Sequence, residues 1–262
     1  MANKNPDARK KFALVTGGSR GIGLAVAKDL ARDHHVFVGA TTPEAARAAV
    51  EQLPSASAFV ADLSDERAVE AAVAGLLAEL DERGASGLDV LVHSAGVYVD
   101  GRVEDVARQD WSRILEVNVV AVADLTRRLL PALRSAGGRG DRDGAEGQPG
   151  MGGTVVSINS GSGFRSSPGT SPYAASKFAL RAFTDALREE ERGTVRVSSV
   201  HPGRVDTDMQ VQLQSNWHSG DADWTYDGSK FVRAGSIAAA VRLVVDAGPD
   251  ASVDEVQVRP RI

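Results

Sequence analysis

FALVTGGSRGIGLAVAKDLARD, residues 12–33, decides the fold. Four apolar, strand-forming letters run into a turn containing Gly17, Gly21 and Gly23, and the turn opens directly into a helical pattern. Glycine, lacking a Cβ, lets the backbone bend sharply and approach a ligand closely. The helix start beyond it offers free N–H groups and a positive dipole end to a pyrophosphate. The spacing G-x-x-x-G-x-G differs from the commoner G-x-G-x-x-G, and many glycine turns only serve tight packing. Its position at the first strand–helix turn favours dinucleotide binding.

The same alternation continues outward from this stretch. Further apolar runs are VFVGA (36–40), SAFVAD (57–62), VLVHS (90–94), TVVSI (154–158), VRVSSV (195–200) and EVQV (255–258). Helical patterns separate them. One of these places Ala68, Val69, Ala72, Val73, Leu76, Leu77 and Leu80 at 3.6-residue spacing. Repeated strand–helix alternation predicts an α/β protein with a seven-stranded, mostly parallel, doubly wound sheet and helices on both faces. The strands show little polar alternation, which fits burial on both sides. Residues 1–262 read as a single domain. Two segments break the rhythm. Residues 137–153, rich in Gly, Asp and Arg, read as a flexible surface insertion after a helix ending near Arg134. Residues 208–231 are irregular but carry Trp217, Trp224, Tyr226 and Phe231, which suits a substrate-binding loop.

Composition bounds the function. The chain has 262 residues, 42% of them hydrophobic and 25% charged, with a formal net charge of −5, as in an ordinary globular protein. An acidic balance argues against nucleic acid or an anionic membrane as partner. There is no cysteine, so disulfides, thiolate catalysis and Cys-ligated metal are excluded. With no secretory h-region and no membrane-length apolar run, a cytoplasmic protein is expected. No residue set suggests a metal site.

The nucleotide is read from its surroundings. An NAD site usually has an acid at the end of the second strand to hold the ribose 2′-hydroxyl. Here the strand ends Gly39-Ala40-Thr41-Thr42. Arg20 within the turn can reach a 2′-phosphate, with Thr41 and Thr42 adding hydroxyls. NADP(H) is therefore favoured over NAD(H). Asp62-Leu63 follows the third strand, where Asp62 either accepts from the adenine amine or caps the next helix.

SPYAASKFALRAF starts a helix with Ser171 as expected N-cap and Pro172 at the first position. Tyr173 and Lys177, four residues apart, share one face. A phenol is a poor acid or base at neutral pH, and a neighbouring ammonium and helix N-terminus both favour the phenolate. Ser160, thirteen residues before Tyr173 at a strand's C-terminal end, can hold the reacting oxygen, and Ser162 is the alternative. Asn118 sits among apolar helical letters, where an amide needs local satisfaction or a water to hold.

Taken in order, these motifs resemble the short-chain dehydrogenases/reductases over nearly the whole chain. TGGSRGIG resembles the family's TGxxxGxG turn, HSAG (93–96) its NNAG motif, and HPGRVDT (201–207) its PGxVxT segment. Asn118, Ser160, Tyr173 and Lys177 match the catalytic tetrad. The resemblance implies a Rossmann-type fold that transfers hydride between NADP(H) and a small carbonyl or alcohol substrate. Tyr173 would exchange the proton, Ser160 orient the oxygen, Lys177 lower the phenol's pKa and bind ribose, and Asn118 hold a water. It implies cofactor contacts from Gly17, Ser19, Arg20, Gly21, Ile22, Gly23, Thr41, Asp62, Leu63, Ala95, Gly96, Tyr173, Lys177, Pro202, Gly203, Val205 and Thr207. It also implies a homo-oligomer, a dimer or tetramer paired through helices 111–134 and 173–190. His93-Ser94 departs from Asn-Asn, Asn159 replaces a usual Ser, and EVQVRPRI differs from the glycine-rich ending common in 3-oxoacyl-thioester reductases. A ketone or 3-oxoacyl reductase is the expected activity. The alternatives are an NAD-linked alcohol dehydrogenase and a catalytically silent dinucleotide-binding regulator.

Overall fold

Each apolar run named above forms a strand; the central ones are buried almost throughout, whereas the two at the sheet's edges, Ala56–Val60 and Glu255–Val258, are largely half-buried or exposed. The computed structural model describes residues 10–136, 152–221, 223–248 and 250–261. The strands are β1 (Lys11–Val15), β2 (His34–Ala40), β3 (Ala56–Val60), β4 (Val90–His93), β5 (Thr154–Ile158), β6 (Arg196–Pro202), β7 (Val205–Asp206), β8 (Val232–Arg233) and β9 (Glu255–Val258). Seven form one sheet in the order β3-β2-β1-β4-β5-β6-β9, and every pairing in it is parallel. The order reverses beside β1, the switch point where open α/β sheets bind ligands at the strands' C-terminal ends. The short β7 and β8 form a separate parallel pair.

The helices are α1 (Gly21–Leu30), α2 (Pro43–Val50), α3 (Glu66–Glu82), α4 (Arg108–Leu115), α5 (Ala121–Arg134), α6 (Ser171–Glu190), α7 (Asp208–Trp217) and α8 (Ala234–Val245). They bury two apolar layers. Val26 and Leu30 of α1 pack with Ile237, Val241 and Val244 of α8. In the other layer Val69, Val73, Leu76 and Leu80 of α3 meet Leu125, Leu129 and Leu133 of α5. Leu77, also apolar, stays 37% exposed at the margin of its helix's buried stripe. No described helix is long and apolar enough to cross a membrane.

Three local expectations need correction. β2 begins at His34, two residues early, because His35 is buried with its ring nitrogens bonded to Ser55 Oγ (2.8 Å) and Ser57 Oγ (2.9 Å). Residues 208–217 are helical, α7, started by Thr207 Oγ1 accepting from Gln210 N–H at 3.4 Å. Thr170, not Ser171, precedes the first turn of α6, and its hydroxyl turns back to the Ser167 carbonyl (2.8 Å). The expected insertion at 137–153 lies outside the described residues except for Gly152 and Gly153.

Candidate active site

Thr16 fastens the glycine turn. Its Oγ1 accepts from the N–H groups of Ser94 and Ala95, both at 3.1 Å, tying the end of β1 to the end of β4. Gly17 has φ +61°, and a Cβ there would stand 2.8 Å from Ala95 Cα. A Cβ on Gly23 would stand 2.1 Å from the Gly17 carbonyl oxygen. Both glycines are therefore required by backbone contact. No side chain caps the N-terminus of α1, so its first N–H groups face the turn unclaimed by a cap.

A cleft of about 460 Å³ opens over this turn. Gly17, Ser19, Arg20, Gly21, Ile22, Gly23, Thr41, Asp62, Leu63, Ala95, Gly96 and Thr207 all line it. The Arg20 side chain is exposed and has no hydrogen-bond or ion-pair partner among the described residues, while its carbonyl accepts from Leu24 N–H at 3.1 Å. Thr42, by contrast, uses its hydroxyl to cap α2, accepting from Ala45 N–H at 3.3 Å, and it does not line the cleft. Asp62 Oδ1 accepts from Ser64 N–H and Oγ (2.9 and 2.7 Å), which holds its carboxyl below the usual range. Asp65, not Asp62, caps α3. Pro202, Gly203 and Val205, also expected as cofactor contacts, do not line the cleft: Gly203 N–H bonds the Val258 carbonyl and Val205 pairs with Val232. No metal-binding group of three acidic, His or Cys side chains occurs among the described residues.

Asn118, Ser160, Tyr173 and Lys177 do not line that cleft; they gather beside Gly96 in its wall, where a Cβ would stand 3.3 Å from Asn118 Oδ1 and 4.0 Å from Lys177 Nζ. Lys177 is buried on α6, its Nζ 5.7 Å from the Tyr173 ring centroid and donating to the Ile158 carbonyl at 3.1 Å. Burial brings its pKa down to about 8. Burial also pushes the Tyr173 phenol up, while a hydrogen bond from the Ser160 side chain works against that rise. The depression expected from Lys177 does not dominate, because its ammonium is directed at a carbonyl. Ser160 Oγ accepts from Ser162 N–H (3.1 Å), so Ser162 contributes main chain to this turn.

Asn118 stands in a π-helical turn, Glu116–Val120, between α4 and α5. One such wide turn inside a helix shifts where its side chains emerge. Asn118 Oδ1 accepts from Val97 N–H, and Nδ2 donates to the Val97 carbonyl, both at 2.9 Å. Nδ2 also donates to Ser176 Oγ (3.0 Å), whose hydroxyl reaches the Tyr173 carbonyl (2.8 Å). The amide is thus satisfied by protein and holds the strand-end loop beside Gly96. Gly96 stands between the cleft and the group formed by a phenol, a hydroxyl and an ammonium.

The family profile described as short chain dehydrogenase matches residues 11–217. The chain belongs to that family. It is 32% identical over 213 residues to a 3-oxoacyl-[acyl-carrier-protein] reductase of Chlamydia trachomatis, covering 79% of this chain and 78% of the relative. It is 33% identical over 209 residues to a cyclopentanol dehydrogenase of Comamonas sp., covering 78% and 76%. A short chain dehydrogenase from Burkholderia cenocepacia, solved in complex with NADP, superposes with a TM-score of 0.75. It is 32% identical, with 95% of this chain and 96% of that one covered.

As a short-chain dehydrogenase, the protein is an NAD(P)-dependent oxidoreductase. Some of its site residues were not legible in the motifs. Gly39, Val97, Arg113, Val117 and Met209 line the nucleotide cleft. A glycine inside a strand signals a close backbone approach, and a Cβ on Gly39 would lie 2.8 Å from Thr16 Cα. Tyr98 packs on Tyr173, ring centroids 4.7 Å apart. Burial first, then Asp100, push its phenol up to about 12. Tyr98, Asp100 and Trp217 line a second cavity of about 410 Å³, and Trp217 Nε1 donates to Asp100 Oδ2 at 2.9 Å. The other aromatics of 208–231 pack on one another: Trp224 stacks on His218 at 4.8 Å and Tyr226 on Phe231 at 5.3 Å.

Proposed function

We propose that this short-chain dehydrogenase is an NADP(H)-dependent reductase of ketones or 3-oxoacyl compounds. The observation that carries the reading is the meeting of Tyr173, Ser160 and Lys177, with Lys177 Nζ 4.0 Å from where a Cβ on Gly96, in the cleft wall, would stand. The cleft suits a dinucleotide: backbone contacts at Gly17 and Gly23 leave room for no side chain, and the uncapped start of α1 favours a pyrophosphate. Free Arg20 beside Thr41, with no acid at the end of β2, favours a 2′-phosphate. The NADP-bound Burkholderia relative supports the same preference.

The nicotinamide nucleotide, when bound, supplies hydride to the carbonyl carbon. Tyr173 gives the proton that completes the alcohol, and Ser160 donates a hydrogen bond to the same oxygen. Lys177, charged and buried beneath the ring, stabilises the phenolate left behind. Asn118 positions the loop that carries Gly96 and Val97 and, through Ser176, the start of α6. The cavity under Tyr98 and Trp217 admits the substrate. The Chlamydia and Comamonas relatives support an oxoacyl or cyclic ketone class. A homo-oligomer is supported by apolar side chains left in the open on two packed elements, Val120 (50%) and Phe178 (45%).

NADPH consumption against ketones, aldehydes and 3-oxoacyl thioesters tests the reading, with Tyr173→Phe alongside. Turnover is expected to vanish in the variant while NADPH affinity persists. Substantial residual turnover would refute the tyrosine's role.

A further inference from the structure

His201 stands just before the Pro202-Gly203 pair, and nothing above gives it a part in the reaction. Its side chain is wholly buried. Nδ1 lies 3.2 Å from the Ser160 carbonyl oxygen. A carbonyl only accepts, so Nδ1 carries the ring proton in the neutral form and Nε2 presents a lone pair. Nε2 makes no hydrogen bond among the described residues, and Glu255 Oε1 stands 3.7 Å from it.

The ring has little freedom to turn. Phe164 packs on it at 4.5 Å between centroids. Arg181 covers Phe164 at 4.2 Å and donates to Glu255 Oε1 at 3.1 Å, closing the group from outside. The Ser160 carbonyl therefore has two donors of different origin. Gly163 N–H, at 3.0 Å, comes from the loop's own turn and sets its shape. His201 comes from β6 and fixes where that loop stands against the sheet.

We infer that His201 is a positioning residue for the reaction, holding the Ser160 main chain against β6 so that the Ser160 hydroxyl meets the Tyr173 phenol. The inference rests on the roles given above to Ser160 and Tyr173. Displacement of a positioned group by about 1 Å is enough to slow an enzyme by about a hundredfold.

Asparagine and glutamine separate this role from simple packing. An asparagine amide overlays Nδ1 and keeps a donor toward Ser160. A glutamine amide reaches the Nε2 position, toward Glu255, and leaves Ser160 without one. With the best ketone of the panel, His201→Gln is expected to lower kcat by about tenfold to a hundredfold, with NADPH affinity and substrate KM within about twofold. His201→Asn is expected to keep kcat within about threefold. In a Ser160→Ala background, residual turnover should be indifferent to His201→Gln. Wild-type kcat in His201→Gln, equal losses in both variants, or an undiminished effect without the Ser160 hydroxyl would each overturn the inference. An inactive Ser160→Ala beside a fully active His201→Gln refutes the positioning role alone. A fully active Ser160→Ala removes the role of Ser160 and this inference with it.

Discussion

Lowering the pH from 8 to 5 is expected to destabilise this fold by about 4 kcal/mol through His93 and His35, and buried His201, whose pKa burial also lowers, adds to the loss. His93, at the end of β4, places Nε2 2.8 Å from Thr126 Oγ1, whose own proton goes to the Val122 carbonyl. Burial holds its pKa down at about 3. His35 lies between Ser55 and Ser57, and burial, aided by Arg83 and opposed by Glu79, brings it to about 4. Unfolded, both titrate near about 6.5. Between the folded and unfolded values the unfolded chain holds more protons, so the stability is complete above about pH 6.5 and drains away as pH falls. At pH 5, which is 1.5 units below the unfolded value, each histidine has lost about 2 kcal/mol. Glu191, kept low by its bonds from Arg134, acts in a lower range and does not blur this window. Urea unfolding followed by tryptophan fluorescence at stepped pH measures the effect. Near pH 5.5 the slope should exceed about 2 kcal/mol per pH unit, and His93→Gln should lower it by about 1 kcal/mol per unit. An unfolding free energy that is flat from pH 7 to 5, or an unchanged slope in the variant, would refute the reasoning.

Other perturbations test the cleft and its rim. Gly23→Ala sets a methyl 2.1 Å from the Gly17 carbonyl oxygen, so NADPH binding measured by fluorescence should weaken by about tenfold or more. Arg20→Ala removes an unpaired exposed cation, so NADPH affinity should fall by about tenfold while NADH affinity holds, as read from paired titrations. Trp217→Phe removes the bond to Asp100 and shrinks the ring that Arg204 covers at 5.6 Å, and substrate KM should rise by about threefold to tenfold with kcat little changed.

The strands and the glycine turn were legible because their causes are local. A strand buried on both faces needs an unbroken apolar run, and Gly17 and Gly23 answer contacts within the turn or with the next motif. His34 and His35 escaped because a polar ring looks like a strand end until a partner satisfies it, Asp33 for His34 and, for His35, Ser55 and Ser57 at the start of β3. α7 was hidden for a related reason. DMQVQLQSNW has only a faint apolar face, and its start depends on the Thr207 hydroxyl. The tetrad's positions could be read, but its electrostatics could not. Helical spacing put Lys177 on the same face as Tyr173, yet the Ile158 carbonyl that claims its ammonium comes from another strand. Likewise, no local pattern shows that Asn118 meets Val97, twenty-one residues earlier.

The π-helical turn at Glu116–Val120 also makes the length of this helical segment matter. Each residue advances an α-helix by about 100°. Deleting one residue before Asn118 within the turn would give a more regular helix, yet swing the amide about a quarter-turn out of phase with the Val97 backbone it grips. The N–H and carbonyl of Val97 would then lose their partner together, and with them the link through Ser176 to the start of the tyrosine helix. A shortened segment of this kind gains helical regularity and loses the registry between the nucleotide loop and Tyr173.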